Sequence, residues 1–284
     1  MDLHLHEISG AHIYKSRAQR ARVITEHWTK MNLYCPVCGA PHLVQFEANR
    51  PVADFYCERC GAQFEQKSLH RKAPRHLTKI NGSAYSAMEE RLSSDNNPHL
   101  LLMYRSDDNV DNLILVPKHF FTNSIIAPRK PTKPKGRSKP WVGSYILLNE
   151  VPESGIIYIV KNGVEEDQSK VLDLYRKTLP LITGDLESQG WLLDVLKCVE
   201  KIPTSSFSLS QVYAFEPELK KKHPGNHHIK DKIRQQLQVL RDKGFLILSA
   251  EEDTTKIFKN IIISGIQLLK YGTAMAVGRR RSLD

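Results

Sequence analysis

The stretch that decides the fold is Asn49-Arg-Pro-Val-Ala-Asp54-Phe-Tyr-Cys57-Glu-Arg-Cys60-Gly-Ala-Gln-Phe64-Glu65-Gln66-Lys67-Ser68. It contains two sets of reactive side chains, one made of cysteines and one made of charged residues that flank them. Short strand-like segments, residues 53–56 and 63–69, carry the charged set. We therefore expect a small sheet edge on which a metal-binding loop and a group of charged residues lie side by side.

The cysteines form a pattern with a second pair upstream. Cys35-Pro-Val-Cys38 and Cys57-Glu-Arg-Cys60 are C-x2-C pairs separated by eighteen residues, a spacing typical of zinc sites. Four thiolates complete a tetrahedron around Zn²⁺ and leave no open position, so the predicted metal is structural. Four ordinary buried cysteines are disfavoured by the paired spacing. Cys198 is alone on an apolar helix face and is predicted to be a core residue.

The charged set suggests a second metal. Residues two apart on a strand share a face, so Glu65 and Lys67 should point the same way, and Asp54 can lie on the neighbouring strand. Two carboxylates beside a lysine suit Mg²⁺ and the hydrolysis of a phosphodiester. The pattern alone is more typical of a surface carboxylate and a solvated Glu–Lys pair. The intervening zinc loop, the strand-like flanks and the basic chain favour the catalytic interpretation.

Composition places limits on the class of protein. The chain has 284 residues, 40% of them hydrophobic, and a formal charge of +10. This length suits one large or two ordinary domains, and the charge favours a polyanionic partner. We find no apolar run of eighteen residues and no secretory signal, so we expect no membrane partner and a cytoplasmic location, where disulfides are rare.

Apolar periodicity outlines the first domain. Residues 12–31 predict a basic amphipathic helix, and residues 168–179 predict a closing helix. Asn81-Gly82 predicts a turn, after which Ser83 is expected to cap a short helix. Four further segments are predicted to be strands of a mixed sheet: 99–105, 112–118, 141–148 and 155–160.

The second half of the chain has a different pattern. Residues 181–190 carry polar residues and glycines and are predicted to be a linker. Helical patterns follow at 191–201, 208–221 and 226–243, and a strand is predicted at 245–248. Three helices closed by a β-hairpin are typical of the winged helix, a variant of the helix-turn-helix.

Several motifs together resemble the DpnI, or Dam-replacing, family of methyl-directed type II restriction endonucleases, and the resemblance runs from Tyr14 to Leu248. The motifs are Asn49 to Cys57, Phe64 to Ser68, Asp95-Asn-Asn-Pro98, Ser188-Gln-Gly-Trp191 and Ile229 to Lys243. The resemblance implies an α/β fold, a mixed-sheet PD-(D/E)xK nuclease domain with a zinc-stapled loop, followed by an α+β winged helix. It also implies Mg²⁺-dependent cleavage of double-stranded GATC sites that carry N6-methyladenine.

The resemblance assigns roles to individual residues. Asp54 and Glu65 would hold Mg²⁺, the Gln66 backbone carbonyl would complete the coordination, and Lys67 would be the catalytic lysine. Glu26 also matches the family and would be an indirect helper of the site. We predict a nuclease domain at residues 1–182, a winged-helix domain at residues 183–284 and a monomer in solution.

A basic loop precedes a tryptophan that the resemblance singles out. Residues 128–140 hold six Lys or Arg and four Pro, and Arg137 and Lys139 are predicted to follow the phosphate backbone. A solvated loop is the usual alternative for such a composition. Trp141-Val-Gly143 resembles the family's Trp-hydrophobe-Gly, whose tryptophan contacts the methyl groups of the bases. Without the resemblance, Trp141 is predicted to be a core residue at the start of a strand.

The third helical pattern of the second half has two faces. Its apolar face is predicted to pack on the core, and the opposite face is predicted to enter the major groove of DNA. Lys220-Lys-Lys222 just upstream favours DNA over a protein partner. The candidate DNA-contacting residues of the helix are His228, Asp231, Arg234 and Gln235.

Two other classes of function fit the sequence. One is a non-catalytic regulator built from the zinc loop and the winged helix, and the other is a nuclease of the same fold with a different sequence or modification specificity. Residues 251–284 extend beyond the resemblance. They are expected to form a return strand with a short helix, or a DNA-contacting tail.

Overall fold

A computed structural model describes residues 1–6, 13–47, 53–74, 76–94, 96–133, 140–249 and 256–259. The α-helices are α1 (Arg17–Asn32), α2 (Tyr85–Ser93), α3 (Gln168–Thr178), α4 (Leu186–Lys201), α5 (Leu209–Tyr213), α6 (Glu216–Lys222) and α7 (Ile229–Asp242). The strands of the first domain are β1 (Val44–Gln45), β2 (Phe55–Tyr56), β3 (Gln63–His70), β4 (Lys79–Ala84), β5 (His99–Arg105), β6 (Val110–Val116), β7 (Ile126–Pro128), β8 (Gly143–Leu147), β9 (Ile157–Lys161) and β10 (Val164–Glu165). Those of the second domain are β11 (Ser206–Phe207), β12 (Leu246–Ser249) and β13 (Lys256–Lys259).

The main sheet has the order β1-β2-β3-β5-β6-β9-β10, in which β3 and β5 are parallel and the other pairs are antiparallel. It is the predicted mixed sheet. Strands β5 and β6 are almost entirely buried because their apolar residues are covered on both faces. One face packs against α1 and α3, and the other packs against α2 and the second domain.

The predicted turn at Asn81-Gly82 is wrong. Both residues lie within β4, whose antiparallel partner β8 is some sixty residues away in the chain. Ser83 is in the strand and does not cap α2, which has Ala84 at its N-cap and no side-chain cap. A turn-forming pair was therefore overridden by a distant strand, because tertiary pairing outweighs local propensity.

The second domain has the predicted winged-helix order. Helices α4 and α7 pack together, and β11, β13 and β12 form a three-stranded antiparallel sheet. The predicted second helix is split into α5 and α6, and residues 186–190 of the predicted linker belong to α4. Strand β13 is the expected return strand, and residues 260–284 lie outside the described part of the chain.

The two halves share one apolar core. Trp191, Val195 and Val199 of α4 belong to the same buried cluster as Phe120 and Ile146 of the first half. Cys198 is buried in this cluster, as predicted. In the described part of the chain, no helix has the length and apolar character needed to cross a membrane.

Candidate active site, zinc centre and DNA-binding surfaces

Asp54 is held at the edge of the main sheet by backbone contacts. Its N–H donates to the carbonyl of Phe64 at 2.9 Å, so the residue is tied to β3 just before β2 begins. Its Oδ2 accepts the backbone N–H of Gln66 at 2.8 Å. The carboxylate therefore lies beside the strand segment that carries the other candidate residues, as the sequence predicted.

Glu65 and Lys67 lie on one face of β3. Lys67 Nζ is 2.7 Å from Glu65 Oε1, and both side chains are only partly exposed. The Gln66 side chain has buried amide atoms without hydrogen-bond partners. Since alternate side chains of a strand point to opposite faces, Gln66 offers the site its backbone and not its amide.

Two arginines and a glutamate that approach from helices complete the group. Arg22 of α1 donates to Asp54 Oδ1 at 3.0 Å and also pairs with Glu26. Glu26 accepts a hydrogen bond from Gln45 at 2.9 Å. Burial raises the pKa of Glu26 above its ordinary value, and the Asp54 carboxylate adds to the rise.

Arg91 of α2 lies on the other side of the group, 3.5 Å from Glu65 Oε2. The sequence reasoning did not single out Arg22 or Arg91. Each carboxylate on the sheet thus has a cationic neighbour supplied by a helix. Such a balance is expected where two acidic groups are only partly exposed to solvent.

The four predicted zinc ligands come together. Cys35 Sγ lies 3.7 Å from Cys60 Sγ, and Cys38 Sγ lies 3.6 Å from Cys57 Sγ. A tetrahedron with Zn–S bonds of about 2.3 Å requires sulfur separations of about 3.8 Å, so the cluster has the size of a zinc site. In the described part of the chain, it is the only group of three or more His, Cys, Asp or Glu ligands close enough to bind one ion.

The two cysteine turns have the same backbone geometry. The N–H of Gly39 donates to the Cys35 carbonyl and that of Gly61 donates to the Cys57 carbonyl, both at 2.8 Å. Both glycines have positive φ, 78° and 72° respectively, a conformation that other residues rarely adopt. The Gly-Ala that follows each C-x2-C pair is the sequence signal for this turn, and the cysteine spacing alone does not reveal it.

The comparison with known families covers most of the chain. The DpnI model, which represents the Dam-replacing family, matches residues 1–183, and the model of the Dam-replacing helix-turn-helix domain matches residues 187–252. The chain belongs to the Dam-replacing family. It is therefore a nuclease of the restriction-endonuclease class with a helix-turn-helix domain that binds DNA.

The candidate recognition helix of this Dam-replacing protein presents the predicted face. Ile229, Ile233 and Leu240 of α7 are buried, whereas the four candidate DNA-contacting residues are exposed. Arg234 is 3.3 Å from Asp231, and its guanidinium lies 5.5 Å from the ring centre of Tyr213. The long cationic side chain is thus oriented before any ligand is bound.

One lysine of the basic run at residues 220–222 is not available for DNA. Lys222 was grouped with Lys220 and Lys221 as a signal for DNA, but it is half-buried between Glu150 and Asp194, at 2.7 and 2.8 Å. Although burial opposes its charge, the two carboxylates raise the pKa of Lys222 well above its ordinary value. Lys222 therefore joins the second domain to the first.

The remaining candidates lie near the basic loop. Trp141 is 48% exposed and precedes β8, so the interpretation as a core residue is wrong. The N–H of Thr132 donates to the Trp141 carbonyl at 2.9 Å, and the N–H of Trp141 donates to the Thr132 hydroxyl oxygen at 3.2 Å. Arg137 and Lys139 lie outside the described residues.

Proposed function

We propose that the chain is a type II restriction endonuclease that cleaves double-stranded DNA at GATC sites carrying N6-methyladenine, by Mg²⁺-dependent hydrolysis. The observation that carries the proposal is the placement of Asp54 against the backbone of Gln66, next to the Glu65–Lys67 pair on β3. The family match to both domains supports the same reaction class.

The donor set suits a hard divalent cation. Asp54 and Glu65 supply carboxylate oxygens. Asp54 now pairs with Arg22 and Glu65 with Lys67, and a bound metal ion would supply positive charge in place of these side chains. The N–H and C=O of one strand residue point to the same side, so the Gln66 carbonyl is directed to the side on which its N–H meets Asp54. Few protein ligands are needed, because Mg²⁺ keeps several waters and takes phosphate oxygens.

The side chains around the metal position have separate tasks. When bound, Mg²⁺ supplies Lewis-acid stabilisation of the phosphodiester and activates water. Lys67 is held by Glu65 at 2.7 Å, and its ammonium can orient the attacking water and offset charge that develops on the phosphate. Glu26 and Arg22 position Asp54 from α1.

Recognition is assigned to both domains. Trp141 is exposed, and the N6-methyl group adds an apolar surface in the major groove that an aromatic ring can contact. In the winged helix, Arg234 and Gln235 have the side chains that pair with guanine and adenine edges, and His228 and Asp231 flank them at the helix start. We assign Zn²⁺ a structural role only, since its four thiolate ligands leave no open position.

The test compares cleavage with binding. Asp54→Ala and Lys67→Ala should each lower the cleavage rate of a methylated GATC duplex by about 10²- to 10⁴-fold or more. Binding of the same duplex, measured by mobility shift with EDTA present, should stay within a few-fold of wild type. Lys170→Ala is the matched control, because Lys170 of α3 forms a surface ion pair with Glu166, which precedes the helix.

Loss of binding in both active-site variants would contradict the assigned roles. Normal binding by the wild type without any cleavage in Mg²⁺ would favour the non-catalytic regulator. Cleavage that ignores methylation or occurs at other sites would keep the nuclease and discard the proposed specificity.

A further inference from the structure

The small sheet formed by β4, β8 and β7 has one buried and one open face. Ile80, Ile146 and Ile126 point inward and are buried. Tyr145 pairs with Asn81 and Ala127, and side chains two positions along the strands share its face. The open face therefore carries Lys79, Tyr145 and Arg129. The backbone N–H of Arg129 donates to the carbonyl of Gly143 at 2.8 Å.

Trp141 and Arg129 meet at Gly143. A Cβ on this glycine would lie 2.6 Å from the Trp141 ring and 3.1 Å from Arg129 Cδ. The indole ring and the arginine stem thus occupy the space above one α-carbon, where no side chain of residue 143 competes with them. Because both side chains pass over the same α-carbon, they are placed to contact neighbouring base pairs, which are about 3.4 Å apart.

Tyr145 orients both cations of the open face. Arg129 Cζ lies 5.6 Å from the centre of the Tyr145 ring, and Lys79 Nζ lies 4.2 Å from it. Both distances are typical of cation–π contacts. Among the residues that the structure describes, no carboxylate pairs with either cation, so both positive charges can meet DNA.

The open face is connected to the active site through one helix. The N–H of Tyr85, the first residue of α2, donates to the carbonyl of Val142 at 3.0 Å. Arg91 lies six residues further along α2, which is about 9 Å of helix, and pairs with Glu65. The open face and the candidate catalytic carboxylates are therefore linked through one short helix, α2.

We propose that Arg129 is a specificity-determining residue of the nuclease domain and hydrogen-bonds the guanine next to the methylated adenine that Trp141 contacts. This inference rests on the proposed function. Arginine in the major groove pairs with guanine N7 and O6 through two parallel hydrogen bonds, which a pre-oriented guanidinium makes at low entropic cost. Tyr145 positions Arg129, and Lys79 contacts the phosphate backbone.

The experiment combines a protein change with a base change. Cleavage of a methylated GATC duplex is compared with cleavage of the same duplex containing 7-deazaguanine, which lacks the N7 acceptor, by the full-length wild type and by Arg129→Ala. We expect each single change to lower kcat/KM about 10- to 100-fold. Together they should lower kcat/KM little more than either alone, since both remove the same contact.

Two further variants separate guanine recognition from a phosphate contact. Arg129→Lys keeps the charge but replaces the planar pair of donors with one ammonium group, so its response to 7-deazaguanine should be smaller than that of the wild type; it also serves if the alanine variant does not fold. Lys79→Ala should weaken cleavage of both duplexes equally and reduce the salt dependence of binding by a slope of about one.

If the reductions in kcat/KM caused by Arg129→Ala and by 7-deazaguanine multiply when both changes are present, the two effects are independent. That result would overturn the proposal and make Arg129 a phosphate contact. Full activity of Arg129→Ala on normal methylated DNA would also overturn it. Both results leave the proposed function intact. That function fails separately if the wild type does not cleave the methylated duplex.

Discussion

At the scale of single residues, Gly143 determines where the Trp141 ring lies. Because a Cβ at this position would lie 2.6 Å from the ring, Gly143→Ala should displace the indole. We expect the preference of the variant for methylated over unmethylated DNA to fall about fourfold for each methyl group. This factor corresponds to about 0.8 kcal/mol for one buried carbon. The measurement is the ratio of cleavage rates on methylated and unmethylated duplexes.

Gly184→Ala is the matched control for this prediction. Gly184 has a negative φ, and nothing lies within 4 Å of its Cβ position, so the added methyl group meets open space. The ratio should be unchanged in the control. An unchanged ratio in Gly143→Ala as well would contradict the assigned role of the Trp141 ring.

The residues of the active site differ in how far the sequence reveals them. Spacing on a strand predicts that Glu65 and Lys67 share a face, and that pairing is confirmed. Arg22 and Arg91 come from helices, and no local pattern shows which carboxylate a helix will meet after packing. For the same reason, the basic run of residues 220–222 does not reveal that Lys222 pairs with carboxylates far away in the chain.

At the scale of elements, the second of the two cysteine turns lies between β2 and β3, the two strands next to Asp54. Cys60→Ser should lower the zinc content from one ion per chain, reduce thermal stability and abolish cleavage. Structural zinc contributes about 10–16 kcal/mol in small domains, which is as large as the stability of an ordinary domain. Zinc content, melting temperature and cleavage rate check the prediction.

Cys198→Ser is the control for the zinc prediction. Cys198 is buried in the shared core, far from any metal ligand in the sequence, so the variant should keep its zinc although it loses some stability. A Cys60→Ser protein that retains one zinc ion and its melting temperature would contradict the structural role of the cluster.

The strands and helices differ in how well their sequences predict them. Strands β5 and β6 are predicted because continuous apolar runs of that length are typical of buried strands. Strand β4 was missed because Asn81-Gly82 is locally a turn signal, and its pairing with β8 depends on the whole fold. The split between α5 and α6 was also missed, although Pro217 in the first turn of α6 is the local signal for a new helix start.

At the scale of the whole molecule, a buried carboxylate joins the two halves. Asp194 of α4 is 3% exposed and accepts hydrogen bonds from Ser124, Lys222 and His223 at 2.8 to 2.9 Å. Burial opposes its charge, but the hydrogen bonds and Lys222 leave the pKa of Asp194 below its ordinary value. Glu200 adds a second link by accepting the backbone N–H groups of residues 153 and 154.

Asp194→Asn should therefore destabilise the protein by about 1.5–3 kcal/mol, because the hydrogen bonds to the charged carboxylate are weakened while Lys222 keeps its ion pair with Glu150. A carboxyl group whose pKa is lowered by folding stabilises the protein at pH values above its ordinary pKa. This stabilisation is lost as the pH falls below that pKa. The difference between variant and wild type should thus be larger at pH 7 than at pH 3, which lies below the ordinary carboxyl pKa. Chemical unfolding at the two pH values measures it.

Asp173→Asn serves as the control, because Asp173 forms an exposed ion pair with Lys177 on α3. Such pairs contribute about 0–1 kcal/mol. We expect the wild type to unfold in one transition, since the halves share a core. Two separate transitions, or an Asp194→Asn effect no larger than that of the control, would contradict the linkage of the domains.

The most direct test of the proposed function is digestion of one plasmid, prepared with and without adenine methylation at GATC, in the presence of Mg²⁺. The assigned active site and the methyl-contacting surface together predict that only the methylated plasmid is cut and that EDTA stops the reaction. Cleavage of both plasmids, or of the unmethylated one alone, would contradict the proposed specificity. Intact methylated plasmid after incubation with protein that binds it would contradict the nuclease assignment.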